Sequence, residues 1–249
     1  MIPLILHLIV PMFFYTGVSS LLFLNFKLSA LTSAALSSIL CTPFLYLLYR
    51  RDQRERIKPT ISKKLYGSLW YILLFGAALC VFGNEIVAIT RLDYLSPAYE
   101  EAKKAIYTPP VLMQIGAAGI LIPIAEEFIF RGLCFAALRD RLSFLKSALI
   151  SAALFGIYHG NLPQGVYAFI IGIALAWLYE VSHTLLAPIL LHISANLLSL
   201  LLTNTAMGTL LVGRENGTAM AITAILSFLV SIFSAMRIYR KNQLKEDLV

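Results

Sequence analysis

Apolar residues run along this chain in long blocks, and polar residues gather between them. A helix needs about 20 mostly apolar residues to cross a bilayer. Eight blocks meet or approach that length, at roughly 2–25, 29–49, 65–89, 111–137, 143–160, 164–181, 184–203 and 219–238. The fifth to seventh are short and closely joined, which suits a tilted or half-buried segment. The pattern predicts an all-α fold, a polytopic membrane helix bundle of about eight transmembrane helices. It reads as a single transmembrane domain over 1–249, with no internal repeat, low-complexity tract or domain boundary. Residues 97–106 are expected to form a short interfacial helix. The first block begins Met1-Ile2-Pro3 without a basic n-region, and its apolar run is too long for a signal h-region, so it is expected to be retained.

Composition agrees with the pattern. Hydrophobic residues make up 59% of the 249 and charged residues 13%, and the mean hydropathy is +0.80. A soluble globule of this balance would lack polar surface to cover itself. Disorder is excluded. Cys41, Cys80 and Cys134 lie in apolar stretches without CxxC spacing and read as buried thiols. The net charge of +7 fits membrane topology; no nucleic-acid-binding pattern accompanies it, and no nucleic-acid partner is expected.

The basic residues set the expected orientation. Seven lie between Arg50 and Lys64, three at Arg139, Arg141 and Lys146, and four at Arg237, Arg240, Lys241 and Lys245. In an eight-span chain these fourteen share one side, against five (Lys27, Arg91, Lys103, Lys104, Arg214) on the other; Arg131 lies within a span. The positive-inside rule then puts both termini in the cytoplasm, with the plasma membrane as the expected location.

An ionisable residue inside a span is costly and so points to function. Three spans carry such residues. The first reads Ala125-Glu126-Glu127-Phe128-Ile129-Phe130-Arg131-Gly132. Glu127 and Arg131, at i and i+4, share a helix face and can pair. Glu126 points about 100° away. Arg131 is thus expected to neutralise Glu127 and leave Glu126 free to act as a base. The second reads Phe155-Gly156-Ile157-Tyr158-His159-Gly160, where Phe155 can fix the His159 ring by packing. Taken alone, His159 reads as a helix-end residue. The third, His192-Ile193-Ser194-Ala195-Asn196, again sets two polar side chains at i and i+4; alone, these read as interhelical hydrogen bonding.

Together the three lie at overlapping depths, roughly 12–20 Å in from the basic ends at 1.5 Å per residue. A Glu with a His can deprotonate a water, and a second His with an Asn can donate to a developing oxyanion. Alternatively, Glu126, His159 and His192 match a His2Glu set for Zn2+ with an open water position. HExxH is absent, so a soluble zincin-type site is excluded. Both hydrolytic readings stay open. Other polar residues take ordinary readings: His7, Asn84 and Glu85 as interfacial, and His183 as a solvated turn residue.

Glu126-Glu127-xxx-Arg131, Phe155-xxx-His159 and His192-xxx-Asn196, in order on successive helices, resemble the motifs of the CPBP intramembrane proteases, also called Abi, which include the type II CAAX prenyl endopeptidases. Pro123, Phe130-Arg131-Gly132 and Ala187-Pro188-Ile189 are similar too. The resemblance covers about residues 115–200, within a motif-bearing core of about 111–203. It implies a membrane-embedded endopeptidase with a cavity open to the cytoplasm. By that resemblance, Glu126 and His159 activate water, His192 and Asn196 stabilise the oxyanion, and Glu127, Arg131 and Phe155 support the site. It implies a peptide or membrane-protein substrate, reached from the cytoplasm or the bilayer. The competing readings are a non-catalytic peptide-binding immunity or scaffold protein and a proton-coupled transporter. Inverted repeats would favour the last, and the sequence has none.

Overall fold

The computed structural model describes residues 4–55, 68–206, 208 and 217–246. Met1–Pro3, the second half of the basic loop (Arg56, Lys58, Lys63, Lys64) and Arg214 lie outside the described residues. The described chain is helical: α1 (Leu4–Leu8), α2 (Val10–Phe26), α3 (Ala30–Glu55), α4 (Leu69–Ile89), α5 (Pro97–Tyr107), α6 (Val111–Gln114), α7 (Ile122–Glu127), α8 (Ala136–Arg139), α9 (Phe144–Tyr158), α10 (Leu162–Ser182), α11 (Leu186–Asn204) and α12 (Gly217–Glu246). Two π-helical stretches, Ile115–Leu121 and Phe128–Phe135, join α6, α7 and α8 into one rod over residues 111–139.

Among the described residues, six helices are long and apolar enough to cross a membrane: Ile5–Phe26, Ala30–Arg54, Leu69–Ile89, Leu162–Ser182, Leu186–Asn204 and Gly217–Gln243. Phe144–Tyr158 is a shorter apolar helix. The remaining predicted block is the rod, whose helical path is divided by its π stretches. The protein is an integral membrane protein.

Local chemistry sets the helix ends. Pro11 sits in the first turn of α2, where its missing N–H costs nothing. Asn161 caps α10, accepting from Gln164 N at 3.0 Å, with Pro163 in the first turn. His183 ends α10 in the left-handed region at φ 51° and is exposed, as a turn residue should be. A short helix, α5, forms where one was expected at 97–106.

Two neighbouring pairs run antiparallel. On α1–α2 and α3, the Phe14 and Phe44 rings lie 5.1 Å apart at one level, and His7 Nε2 meets Asp52 Oδ1 at 3.0 Å farther along. On α4 and α12, Tyr71 lies against Phe233 and Phe82 against Phe228, at 6.2 and 5.3 Å. One residue expected near the interface is covered by the fold. Glu85 is wholly buried, and neither carboxylate oxygen has a hydrogen-bond partner among the described residues. It lies one turn beyond Phe82, whose ring packs on Phe228 of α12.

Small residues let the site-bearing helices approach closely, as in other membrane interfaces. A Cβ on Gly76 of α4 would stand 2.3 Å from the Leu191 carbonyl oxygen of α11. One on Gly172 of α10 would stand 3.0 Å from Ala152 Cβ of α9 and 3.3 Å from Arg131 Nη2. The three cysteines are free and buried.

Candidate active site

The rod carries the carboxylates and α11 lies beside it. Glu127 and Arg131 are both 0% exposed in their side chains, and Arg131 Nη1 donates to Glu127 Oε1 at 3.0 Å. Arg131 Nη2 donates to the Gly172 carbonyl at 3.3 Å. The guanidinium also lies 4.5 Å from the centre of the Phe155 ring, a cation–π contact in dry surroundings. Sequence reasoning found the ion pair because helix geometry sets it. It missed Gly172, whose contribution is a backbone carbonyl that leaves no side-chain signal.

Glu127 has a second partner. His192 Nδ1 lies 2.8 Å from Glu127 Oε1. An arginine-paired carboxylate accepts, so the proton sits on Nδ1 and the other ring nitrogen, Nε2, is left for other work. Nε2 faces Glu126 Oε2 at 3.8 Å. That is too long for a direct hydrogen bond and suits a water between the two. Glu126 is 6% exposed. The order across the site is thus Arg131, Glu127, His192, Glu126.

Phe155 is the common floor. Its ring meets His159 edge-on at 4.9 Å and His192 edge-on at 5.7 Å. Phe130 packs on it at 4.9 Å. His159 follows the last turn of α9, and its Nδ1 donates to the Phe155 carbonyl at 2.8 Å. A carbonyl only accepts, so this bond also fixes a tautomer and leaves Nε2 as an acceptor. Ser151 Oγ ties α9 to the rod through the Phe130 carbonyl at 2.9 Å.

Asn196 is engaged elsewhere on the rod, and the rod's irregularity explains why. The Ile122 N–H reaches back five residues to the Ala117 carbonyl. The next bond in that register would run from Pro123 to Ala118, and proline has no N–H. The Ala118 carbonyl is left over, and Asn196 Nδ2 donates to it at 2.9 Å. The second hydrogen on Nδ2 remains for another acceptor. A proline within a helical run marks a broken bond in the sequence, but which carbonyl it orphans depends on the π register.

The sequence residues thus fall into a tight group and two outliers. Glu126, Glu127, Arg131, Phe155 and His192 are linked by successive contacts. His159 joins through Phe155, and Asn196 joins through the rod backbone. Among the described residues, no three His, Cys, Asp or Glu side chains converge closely enough to hold a metal ion. Glu126 and His192 approach each other, but His159 does not complete the set, so as arranged these residues do not fit a bound Zn2+.

Comparison with known proteins bears on the same stretch. The profile of the family described as type II CAAX prenyl endopeptidase Rce1-like matches residues 108–198. A Bacillus subtilis (strain 168) protein named "Putative membrane peptidase YdiL" is 33% identical over 167 residues, 66% of this chain and 68% of that protein. "UPF0177 protein YxdF" of Lactococcus lactis subsp. lactis (strain IL1403) is 31% identical over 93 residues, 35% of this chain and 49% of that protein. No solved structure matches the chain. The matched stretch runs from before the rod to the last turns of α11 and contains every residue of the buried carboxylate–histidine group, so the chain belongs to the Rce1-like type II CAAX prenyl endopeptidase (CPBP) family.

Proposed function

We propose that this protein is an intramembrane endopeptidase that hydrolyses peptide bonds with a water held between Glu126 and His192. The observation that carries the reading is the relay Arg131–Glu127–His192–Glu126, buried in spans where an unused charge would be costly. Glu127, held by Arg131, fixes the His192 proton on Nδ1. The His192 Nε2 lone pair and the Glu126 carboxylate then face the same water. Glu126 takes the proton as the water oxygen adds to the peptide carbonyl. The tetrahedral oxyanion accepts from the unused Asn196 amide hydrogen, and the C–N bond breaks as Glu126 returns its proton to the departing amine.

This division differs from the one the resemblance implies. It gives His192 the place beside Glu126 and leaves His159 as a second acceptor at the edge of the site, able to orient the water or the substrate amide. No step passes through a metal. The substrate is a peptide or a membrane-associated protein segment that reaches the site from the cytoplasm or the bilayer.

The topology belongs to the same proposal. The rod and Phe144–Tyr158 act as the fourth and fifth of eight crossings, with both termini cytoplasmic. The antiparallel pairing of α4 with α12 supports it, because the third and eighth crossings must run in opposite directions. The charge asymmetry supports the orientation.

The test compares membranes holding wild-type protein or Glu126→Gln at equal abundance. Each receives a mixed library of C-terminal and leader-type peptides, and mass spectrometry reads the new termini. Products confined to wild type are expected. Identical products from both membranes would remove Glu126 from the chemistry.

A further inference from the structure

A groove between α1–α2, α3 and the second π stretch takes no part in the site above. Its volume is about 210 Å3. Pro11 and Phe14 form one wall, Phe44 and Leu48 the other, and His7, Arg51 and Asp52 close one end. The helices are antiparallel, so position along α3 is position along the groove. From Phe44 to Asp52 is about 12 Å, and over that length the lining passes from aromatic and aliphatic to charged. Alongside the charged end, farther round α3, lies a second recess of about 450 Å3, lined by Tyr46, Leu47, Arg50, Arg51 and Arg54. Arg51 borders both. Arg50 is positioned by Tyr46, with Nη1 donating to the hydroxyl at 2.8 Å and the guanidinium 5.7 Å from the ring centre. The one carboxylate lining the groove, Asp52, is paired with His7.

The walls open outward. Val10 is 47% exposed, Phe14 40% and Phe44 46%. On a membrane-embedded surface, an open apolar trough is filled by hydrocarbon. A trough that ends at Arg51, with Arg50 and Arg54 on the adjoining face of α3, favours hydrocarbon with an anionic head, because guanidinium groups bind phosphate through several parallel hydrogen bonds. We infer that this groove binds an anionic phospholipid, with one acyl chain along Phe14, Phe44 and Leu48 and the phosphate against Arg50 and Arg54. The site is separate from the hydrolytic one but touches its support. Tyr46 and Tyr49 of α3 rest edge-on against Phe128 of the rod at 6.1 and 5.6 Å, next to Glu127. A lipid held here therefore braces the helix face that backs the carboxylates.

The test is a native mass-spectrometric titration of the full chain in neutral detergent. The probes are dioleoylphosphatidylglycerol, dioleoylphosphatidylcholine and soluble glycerol 3-phosphate. Wild type is expected to bind the anionic lipid on the order of tenfold more tightly than the zwitterionic one, with no competition from glycerol 3-phosphate at equal concentration. Arg50→Gln/Arg54→Gln is expected to lose that preference. Val10→Trp, which fills the trough and keeps the arginines, is expected to weaken binding of both lipids. Equal affinity for the two lipids in wild type overturns the inference, as does a preference that survives the double glutamine change. Competition by glycerol 3-phosphate would also overturn it, marking an anion site without a chain. Should the glutamine variant fail to fold, the wild-type comparison and Val10→Trp decide alone.

Discussion

Removing Arg131 tests both the stability and the chemistry of the site. Its guanidinium is fully buried, bonded to Glu127 and to the Gly172 carbonyl, and set over Phe155. Arg131→Met keeps the length of the side chain and deletes the charge. Glu127 is then a buried carboxylate with only His192 beside it, and losing one partner of a buried pair costs about 3–5 kcal/mol. Glu127→Leu strands the arginine and should cost about the same. Glu127→Leu/Arg131→Met removes both charges, and replacing a buried pair by apolar residues is often close to neutral. What remains is the lost acceptor of His192 Nδ1, an unsatisfied buried donor worth about 1–3 kcal/mol. The double variant should therefore be less destabilised than the sum of the singles by at least about 2–3 kcal/mol.

Activity should not follow stability. Without Glu127, nothing holds the His192 proton on Nδ1, so the double variant should fold and fail to cleave. The assay pairs equilibrium unfolding in bicelles with the peptide-library readout on the same preparations. Additive destabilisation would show that the two side chains do not act as a buried pair. A double variant that regained cleavage would show that Glu127 contributes only charge balance.

Other expectations follow from the same geometry. Glu126→Gln should abolish cleavage while leaving unfolding within about 0.5 kcal/mol of wild type, because Glu126 makes no direct hydrogen bond among the described residues; destabilisation equal to that of Arg131→Met would undo the division of roles. His192→Ala should lower turnover by roughly 10²-fold or more, and His159→Ala should lower it less; full activity in either would reject that histidine. Gly76→Ala should destabilise by about 1–3 kcal/mol and reduce cleavage, because its Cβ would stand 2.3 Å from the Leu191 carbonyl, next to His192; unfolding and kinetics unchanged from wild type would refute the close packing. Asn196→Ala should cost about 1 kcal/mol, and markedly less in a Pro123→Ala background, where a backbone N–H becomes available to the orphaned carbonyl; equal costs in both backgrounds would detach Asn196 from the proline.

What the sequence made legible was what a single helix determines. The predicted blocks match the observed helices to within a few residues, apart from the second, whose helix runs on to Glu55, and the C-terminal one, which runs on to Glu246. The Glu127–Arg131 pair was legible because residues four apart meet on one helix face whatever lies around them. Relations between helices were not. Spacing alone left His159 and His192 equivalent as partners for Glu126, the family resemblance favoured His159, and only the packing of α11 against the rod gives His192 the nearer place. Glu85 read as interfacial because nothing in its own helix says that its side chain is wholly buried. The rod carries the largest gap between sequence and structure. A regular helix over 111–139 would spend its carbonyls on its own N–H groups. The π register and Pro123 together free Ala118, and a residue read as an oxyanion donor is partly committed to repairing that break. The proposed hydrolytic site is therefore set by a backbone irregularity as much as by its motifs, since shifting the rod's register would move the Glu126–Glu127 pair relative to Asn196 without changing any side chain of the site.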